Sequence, residues 1–484
     1  MKIYLLNPPF MANFSRGGRW QGASARGGAL EYPKLLAYAT GVLEQNANEV
    51  RLIDAVAQRW DKQKALQDVL EFAPQLIVVD SNFSSLTNDI EVASLLKSKT
   101  NAIIVLVGPP TSQYPEEILK NEGVDIVARL EYDFTLQDIV HAIDNKQNLK
   151  VVDGISYKEN HKIINNKDRE PSNSEDLDNE PFVSKIYKEH LNIRQYFSSQ
   201  SLYPFIQIFT ARGCQYKCSF CSWPETLFGA KRRARSIGNI VDELQFIHEE
   251  MPEVKEVFIE DDTFAAERNY ALDICKEIHR RKLKLTWSCY ARPTLDIDTM
   301  REMKAAGCRL LIVGYESGND EILKSIHKGV KTEQEIAFTQ AAKKAGLLIQ
   351  GDFMIGLPGE TKQTVEDTIK FIKKIRPNIL QVAIATPIPG TEFYRWADKN
   401  GFLLTTKMQD SIEDHGYQKC IISYPELTKE EIEKYLDKAL KGYYLNPQFI
   451  PVAFSNVFRR NTLGEFGIMA RSAVALLRYL GKKN

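Results

Sequence analysis

Three cysteines close together are the feature of this sequence with the clearest chemical meaning. In the stretch ARGCQYKCSFCSWPET, Cys214, Cys218 and Cys221 form a C-x3-C-x2-C array. Four cysteines at such spacing would indicate structural zinc or a fully ligated iron–sulfur cluster, whereas three leave one coordination position open. A [4Fe-4S] cluster with three protein ligands keeps one iron available to a substrate or cofactor. The alternative is a zinc site completed by a distant histidine, and the next one, His248, falls within a predicted helix.

The cysteines follow the first of six alternating strand and helix patterns. The β-rich runs are FIQIFTARG, EVFIEDD, LTWSCYAR, RLLIVGYES, LLIQGDFMIGLPG and ILQVAIATPIPG, and helical segments separate them. Six such units make three quarters of an eight-unit barrel, and polar or glycine-rich residues end each strand, where barrels of this kind do chemistry. We therefore predict a partial (β/α)6 TIM barrel over residues 203–401, with its active site at the carboxyl ends of the strands.

An α/β pattern also precedes the barrel. The runs KIYLLN, QLIVVD and AIIVLVG end in Asn, Asp or Gly and are followed by helical spacing, which predicts a Rossmann-like domain with a parallel sheet over residues 1–150. No G-x-G-x-x-G follows the first strand, which argues against a dinucleotide site. Residues 151–202 are predicted to be a linker or a surface hairpin and strap, and residues 402–484 a helical C-terminal region.

The composition excludes several classes of protein. Lys plus Arg and Asp plus Glu each number 63, so no net charge attracts nucleic acid. The seven cysteines are not the dense framework of a small secreted protein, which indicates reduced thiols in a cytoplasmic setting. The N-terminus lacks a charged and then apolar leader, and no uncharged run of about 18 apolar residues could span a bilayer. We expect a cytoplasmic protein, soluble or peripheral at the inner membrane face.

The three-cysteine array, with an aromatic residue before its last cysteine, resembles the signature of the radical SAM superfamily. Members bind S-adenosylmethionine (SAM) on the open iron of a [4Fe-4S] cluster and cleave it reductively to a 5'-deoxyadenosyl radical. IEDDTF, GYESGN and GDFMIGLPGE resemble further motifs of the family at the second, fourth and fifth strands. The implied SAM-binding residues are Phe220, Glu260, Asp261, Asp262, Arg292, Glu316, Ser317, Ile355 and Gly356. Each motif also has a plainer interpretation, as a helix cap or a Gly-Pro turn.

The N-terminal segment resembles the cobalamin-binding domain of the large cobalamin-dependent radical SAM class. Its strand-end loops include SNFSS, GPPTS and VARLEYD. The implied cobalamin contacts are Asn7, Ser84, Ser85, Gly108 and Glu131. The D-x-H-x-x-G motif, whose histidine ligates cobalt in other cobalamin proteins, is absent, so cobalamin is expected without a protein imidazole. A degenerate domain that no longer binds cobalamin is the alternative.

Several short segments of the sequence resemble a narrower branch of the radical SAM superfamily. VARLEYDFT, EPFVSKIYKEHL, TWSC and LLIVGYESGN are similar to the anaerobic magnesium-protoporphyrin monomethyl ester cyclase branch, and within it to the hopanoid-biosynthesis radical SAM proteins. This resemblance implies an enzyme that modifies an unactivated carbon of a lipid-like substrate, such as a hopanoid or an isoprenoid-derived molecule, with an external one-electron reductant of the flavodoxin or ferredoxin type. Kinship of fold does not determine the reaction.

The C-terminal tail is basic and amphipathic. From Ser455 to Asn484 there are six Lys or Arg and one Glu, and Arg471 and Arg478 fall away from an apolar helical face. That face is formed by Phe466, Met469, Ala473, Leu476, Leu477 and Leu480. Such a helix can lie in a membrane interface, or it can pack on the barrel with its basic face in water.

Other functions are compatible with the same motifs. A cobalamin-dependent C-methyltransferase or an oxidative cyclase on a tetrapyrrole or natural-product substrate would use the same cofactors. A tRNA methylthiotransferase needs a second cluster on N-terminal cysteines, yet no cysteine precedes Cys214. A cobalamin- or redox-responsive binding protein would not need intact acidic and glycine motifs. The motifs therefore favour an enzyme.

Overall fold

The computed structural model describes residues 1–18, 22–25, 28–447 and 474. Strands and helices are numbered in chain order, and a sheet of seven strands forms the N-terminal part. Its strands are β1 (Lys2–Asn7), β4 (Glu49–Asp54), β5 (Leu76–Asp80), β6 (Ile103–Val107), β7 (Ile126–Ala128), β8 (Ile155–Glu159) and β9 (Lys162–Asn165). They lie in the order β4-β1-β5-β6-β7-β8-β9, and the first five are parallel.

The parallel strands of this sheet have the 2-1-3-4-5 order of a doubly wound fold. The strand order reverses between β1 and β5, so their carboxyl ends, at Asn7 and Asp80, flank a topological switch point. Strand β4 is absent from the sequence-based prediction. It lies at the sheet edge and only two of its six residues are buried, so it lacks the continuous apolar run of a central strand.

The segment predicted as a linker or hairpin contains a β-hairpin that extends the first sheet. Strands β8 and β9 are antiparallel to each other, and β8 is antiparallel to β7. The polar sequence of β9, with no buried residue, suits an edge strand. The boundaries predicted at residues 150, 202 and 401 stay predictions.

The second sheet is the predicted half-barrel. Six parallel strands lie in sequential order, namely β10 (Phe205–Ile208), β13 (Glu256–Ile259), β14 (Trp287–Ala291), β15 (Cys308–Glu316), β16 (Leu348–Ile355) and β17 (Ile379–Ile384). All eight residues of β16 are buried, as expected for a strand covered on both faces. Two short antiparallel pairs, β2 (Phe14–Ser15) with β3 (Ala23–Ser24) and β11 (Ala211–Arg212) with β12 (Arg233–Ala234), complete the strands of the described residues.

Helices connect the parallel strands. In the first part they are α1 (Lys34–Glu44), α2 (Lys62–Phe72), α3 (Leu86–Lys99), α4 (Pro110–Gln113), α5 (Pro115–Leu119), α6 (Asp133–Asp144), α7 (Ser174–Asn179) and α8 (Val183–His190). In the second part they are α9 (Trp223–Thr226), α10 (Ile237–Glu250), α11 (Arg268–Arg280), α12 (Ile297–Ala305), α13 (Asp320–Ser325), α14 (Thr332–Lys344), α15 (Lys362–Ile375), α16 (Glu392–Lys399) and α17 (Lys429–Tyr444). Side-chain caps begin several of them, as Ser236 does for α10.

Aromatic stacking and hydrogen bonds join the two sheets. The ring of Tyr32, just before α1, stacks on that of Tyr196 with centroids 3.9 Å apart. Its hydroxyl donates to the carbonyl of Phe205 at 2.7 Å, and its backbone N–H donates to Gln207 Oε1 at 3.1 Å. Both acceptors belong to β10, so the N-terminal part holds the strand that leads to the cysteines.

The C-terminal region is less helical than predicted. Between α16 and α17, residues 400–428 are irregular apart from isolated bridges and a 3-10 turn at Met408–Ser411. Helix α17 then packs on the edge strand β17, where the Tyr444 hydroxyl donates to the carbonyl of Leu380 and accepts from its N–H. A covered edge strand cannot pair with another chain.

The predicted amphipathic tail beyond Ser455 lies outside the described residues, apart from Val474. Within the described part of the chain, no helix has the length and apolar character needed to cross a membrane. Contact of the tail with a membrane stays a prediction.

Candidate active site

The cysteine loop begins at a position that only glycine can occupy easily. Gly213 has φ of +82°, and a Cβ there would lie 2.2 Å from the carbonyl oxygen of Lys231. The β11–β12 pair brings these two backbones together directly before Cys214. Within the loop, the N–H of Cys221 donates to the carbonyl of Cys218 at 3.1 Å. These backbone contacts therefore shape the loop.

A single cavity at the carboxyl ends of the barrel strands contains all three cysteines. It is open to solvent, and together with the solvent space at its mouth it measures about 840 Å³. The predicted site residues that line it are Cys214, Cys218, Phe220, Cys221, Asp262, Arg292 and Glu316. Further lining residues are Thr263, Tyr290, Ala291, Gly314, Lys328, Asp352, Met354, Ile384, Thr386 and Gln418. Residues from most strands of the half-barrel therefore converge where the cysteines lie.

The spacing of the three thiols fits a cluster better than a single ion. Among the described residues, one group of three potential metal ligands has its ligand atoms within 4.8 Å of one another. This group is Glu44, Glu189 and His190, and it does not line the cavity. Zinc with Zn–S bonds of about 2.3 Å would hold its sulfurs only about 3.8 Å apart. His248 is exposed on α10. At least one pair of the three thiols is therefore more than 4.8 Å apart, a spacing that suits a centre of several irons better than one zinc ion.

The three consecutive acids after β13 have different surroundings. Lys34 Nζ lies 2.5 Å from Glu260 Oε1, and both side chains are only 1% exposed. Asp261 accepts from the N–H of Thr210 at 2.6 Å, and burial raises its pKa. Asp262 alone of the three lines the cavity. The first two carboxylates therefore hold the neighbouring chain segments, and the assignment of all three to SAM stays a prediction.

Arg292, Lys328 and Glu316 form a connected polar group on the cavity wall. Arg292 Nη1 lies 3.8 Å from Cys218 Sγ, Nη2 donates to the carbonyl of Lys328, and the guanidinium carbon lies 3.6 Å from the ring centre of Tyr216. Lys328 Nζ donates to Glu316 Oε1 at 2.7 Å. Burial opposes the charge of Lys328, but Glu316 and Cys218 outweigh it and raise the pKa. Positive charge thus lies directly beside the thiols.

The backbone at Glu316 is held in an unusual conformation. Its φ of +66° falls in the left-handed region, which a residue other than glycine adopts only when its surroundings impose it. The register between β15 and β16 also shifts between Gly314 and Glu316. This irregularity ends the strand and re-aims the Glu316 side chain, which lines the cavity.

Three other predicted SAM residues do not line the cavity. Ser317 is buried and its hydroxyl lies 3.1 Å from that of Thr368. Ile355 is buried at the end of β16. Gly356 follows with φ of +98°, and its N–H donates to Glu360 Oε2 at 2.6 Å. In the structure these three residues hold the strand ends in place, and their contact with SAM stays a prediction.

Lys328, Asp352 and Gln418 line the cavity but were not identified from the sequence. Lys328 lies in a loop after α13 without a motif, and Gln418 belongs to the irregular segment before α17. Asp352 gave a signal, because it is an acid in the middle of a buried strand. Burial raises its pKa to about 8.

In the N-terminal part, predicted cobalamin residues surround the switch point. Asn7 Nδ2 donates to Asp54 Oδ1 at 2.8 Å, and Arg16 Nη1 donates to Asn7 Oδ1 at 2.7 Å. Arg16 Nη2 lies 2.6 Å from Asp89 Oδ1, and both side chains are buried. The Ser85 hydroxyl also donates to Asp89, at 2.6 Å. A buried polar network therefore joins the loops after β1 and β5.

The remaining loops of the switch point approach one another closely. Gly108 has φ of +105°, and a Cβ there would lie 2.2 Å from the carbonyl oxygen of Ser81. The Ser84 hydroxyl donates to the carbonyl of Gly22 at 2.8 Å. Burial raises the pKa of Asp80 to about 7. The Ser81 hydroxyl is buried without a hydrogen-bond partner among the described residues, and such a group usually has a partner in the complete molecule.

Glu131 lies at the boundary between the two parts of the chain. Its carboxylate accepts two hydrogen bonds from Arg233, at 2.7 and 2.9 Å, and one from the N–H of Ser172 at 2.9 Å. Nearby, Arg212 is buried and pairs with Asp133 at 2.5 Å. Both arginines flank the cysteine loop, so these ion pairs hold that loop against the N-terminal part. A role for Glu131 towards cobalamin stays a prediction.

Comparison with known proteins agrees with this geometry. The model of the Radical SAM superfamily matches residues 208–372. An uncharacterized methyltransferase of Pyrococcus horikoshii is 30% identical over 488 residues, which cover 99% of this chain and 98% of that protein. The anaerobic magnesium-protoporphyrin IX monomethyl ester cyclase of Rubrivivax gelatinosus is 22% identical over 87% of this chain and 75% of its own.

A solved structure matches most of this chain in fold. The radical S-adenosylmethionine methyltransferase TsrM of Kitasatospora setae, solved with cobalamin and a [4Fe-4S] cluster bound, matches 92% of this chain and 89% of its own with a TM-score of 0.70 and 17% identity. This likeness confirms the predicted fold. Because the superfamily model spans the cysteine loop and most of the cavity wall, and a relative 30% identical matches nearly end to end, the chain belongs to the radical SAM superfamily and is one of its enzymes.

Proposed function

We propose that this chain is a cobalamin-dependent radical SAM methyltransferase that acts on a carbon atom of a small molecule. The observation that carries the proposal is the cavity, in which three cysteines converge with Asp262, Arg292 and Glu316 at the carboxyl ends of the barrel strands. The names of the methyltransferases described above support methyl transfer.

The cavity residues suit a cluster and SAM chemically. Cys214, Cys218 and Cys221 would hold a [4Fe-4S] cluster through three irons and leave the fourth for SAM. The carboxylate of Asp262 matches the ammonium group of SAM, and the guanidinium of Arg292 matches its carboxylate. When bound, the cluster supplies the electron that cleaves SAM and cobalamin carries the methyl group. The protein orients these groups and limits the access of water.

Cobalamin would lie at the switch point of the N-terminal sheet. The loops of Asn7, Ser84, Ser85 and Gly108 meet there, and the orphan hydroxyl of Ser81 leaves a hydrogen bond for a ligand. The first 140 residues contain no histidine, so the cobalt would have no imidazole from this part of the chain. TsrM, which has the same fold, was solved with cobalamin bound.

The substrate end of the cavity contains both polar and apolar side chains. Asp352, Thr386 and Gln418 lie beside Met354 and Ile384. A small molecule with at least one polar group suits this mixture better than a wholly apolar chain. The lipid-like, hopanoid or isoprenoid substrate stays a prediction from family resemblance, and the flavodoxin- or ferredoxin-type reductant is part of the proposal.

Anaerobic reconstitution tests the proposal. Wild-type protein with iron, sulfide and cobalamin should bind about four irons, release 5'-deoxyadenosine or S-adenosylhomocysteine from SAM under reduction, and bind cobalamin stoichiometrically. Cys218→Ala should lose the cluster and all products. Cys275→Ala is the matched control, because Cys275 is buried on α11 away from the cavity.

Three outcomes would contradict the proposal. Full iron content and product formation by Cys218→Ala would show that the three-cysteine loop does not hold the cluster. A reconstituted wild-type protein that binds the cluster but forms no product from SAM would indicate a binding protein. An electron paramagnetic resonance spectrum of bound cob(II)alamin with nitrogen splitting from a protein imidazole would disprove the histidine-free cobalamin site.

A further inference from the structure

The cavity has two chemically different ends. One is formed by the cysteine loop and strands β13 to β15, and its charged groups include Asp262, Arg292 and Glu316. The other is formed by β16, β17 and the segment before α17, which lie at the opposite edge of the sheet from β10. If SAM occupies the first end, as the proposed function requires, the second end is left for the substrate. The residues of that second end are Asp352, Met354, Ile384, Thr386 and Gln418.

Asp352 is held firmly at this second end. It lies on β16 and is 3% exposed. Gln350 Nε2 donates to its Oδ1 at 2.9 Å and to Gln381 Oε1 at 3.1 Å, which fixes the carboxyl plane from one side. Oδ1 receives the one hydrogen bond that the Asp352 side chain makes to the described residues. Since Asp352 lines the cavity, its Oδ2 is available to a ligand.

The charges around Asp352 favour its neutral form. Burial raises its pKa to about 8, Gln350 and Lys328 act in the opposite direction, and Glu316 adds to the effect of burial. The phenol of Tyr444, on α17, is near enough to interact electrostatically with Asp352. Lys328 is already paired with Glu316, so it does not supply Asp352 with a counter-ion. A carboxyl that keeps its proton at neutral pH can donate a hydrogen bond.

We propose that Asp352 is a substrate-recognition residue, which donates a hydrogen bond to a neutral acceptor, such as a carbonyl oxygen or an unprotonated ring nitrogen, on a small and otherwise apolar substrate. Met354 and Ile384 contact the apolar body of that substrate. The Oε1 of Gln418 accepts from the N–H of Ile384 at 3.3 Å, which fixes this side chain at the same end of the cavity. Anionic molecules are disfavoured, because Glu316 lies nearby and the local cation is already paired.

Three probes of similar size but different charge test this inference. Phenylacetamide is neutral with a carbonyl acceptor, phenylacetate is an anion and phenethylamine is a cation. Binding is measured by calorimetry at pH 7 on protein reconstituted with cluster, cobalamin and SAM, without reductant so that no turnover occurs. Phenylacetamide should bind at least about tenfold more tightly than the other two, the discrimination expected from one well-placed hydrogen bond.

Variants of Asp352 separate its proton from its shape. Asp352→Ala should weaken phenylacetamide binding about tenfold. Asp352→Asn, which keeps a neutral donor, should retain the affinity within about twofold and should lose the weakening that wild type shows above pH 8. Asp298→Ala, an exposed residue on α12, is the control and should match wild type.

The inference is overturned if phenylacetamide does not bind, if phenylacetate binds equally well, or if Asp352→Ala keeps the wild-type affinity. Formation of 5'-deoxyadenosine or S-adenosylhomocysteine by the same wild-type preparation, once reductant is added, reports on the proposed function separately. If the binding pattern fails while the protein still forms products from SAM, only the proposed role of Asp352 is disproved. Absence of SAM chemistry removes the proposed function itself.

Discussion

The ion pair between Lys34 and Glu260 joins the two parts of the chain, and its removal has a calculable cost. Lys34 begins α1, whereas Glu260 follows the second barrel strand, and neither side chain is more than 1% exposed. Lys34→Met keeps an unbranched side chain and removes the charge. Glu260 then stays buried with the amide of Gln207 still donating to it at 2.5 Å.

The expected loss follows from the uncompensated charge. Removal of one partner of a buried ion pair costs about 3–5 kcal/mol, because the other charge stays away from water. An unfolding entropy of about 2.1 cal/mol/K per residue gives about 1 kcal/mol per degree for a 484-residue chain that unfolds as one unit. Lys34→Met should therefore lower the Tm by about 3–5 °C. The double variant Lys34→Met, Glu260→Gln removes both charges and should recover about half of that loss.

Thermal unfolding of wild type, Lys34→Met, Glu260→Gln and the double variant at pH 7 and one scan rate provides the measurement. The matched control is Lys276→Met, because that side chain is 74% exposed and its ion pair with Asp273 should contribute less than about 1 kcal/mol. The reasoning is refuted if Lys34→Met unfolds at the same temperature as the control. It is also refuted if the double variant loses the sum of the two single effects, since the charges would then be independent.

Two further predictions concern backbone and pH. Gly213→Ala should reduce iron incorporation severely, because the new Cβ would lie 2.2 Å from the Lys231 carbonyl oxygen. Gly401→Ala is the control, because nothing lies within 4 Å of a Cβ at that position. Equal iron content in the two variants would contradict the prediction. Burial raises the pKa of Glu360 to about 8, so the folded protein retains a proton that the unfolded chain releases near its ordinary pKa of about 4.5. The stability of the folded protein should fall as the pH rises from about 5 to 8 and level off above that. The Tm difference between Glu360→Gln and wild type should grow over the same pH range. A constant Tm difference would count against this prediction.

The cysteine loop and the order of the barrel strands were predictable from the sequence because both depend on near neighbours in the chain. Three thiols within one short loop share a site whatever surrounds them. Buried parallel strands need long apolar runs, and the six runs with helices between them coincide with β10 and β13 to β17. Strand β4 escaped prediction because an edge strand needs no such run.

The sequence did not separate the roles of adjacent residues. Glu260, Asp261 and Asp262 form one acidic motif, yet the first pairs with Lys34, the second accepts from Thr210, and the third lines the cavity. Successive residues at a strand end point in different directions, so their partners depend on which element packs on each side. A sequence motif therefore identifies the region of the site, and the packing of neighbouring elements determines the role of each residue in the motif.

The sequence alone therefore predicted the half-barrel from its periodicity, the three-cysteine loop from its spacing, and the superfamily from the resemblance of its motifs. The tertiary structure decided which distant residues complete the cavity. Lys328, Asp352 and Gln418 are separated by 24 and 66 positions in the chain and carry no common motif, yet they line the same cavity. The sequence also left the charge state of Asp352 undecided. Its pKa depends on burial and on the nearby Glu316, and both effects exist only when the strands assemble.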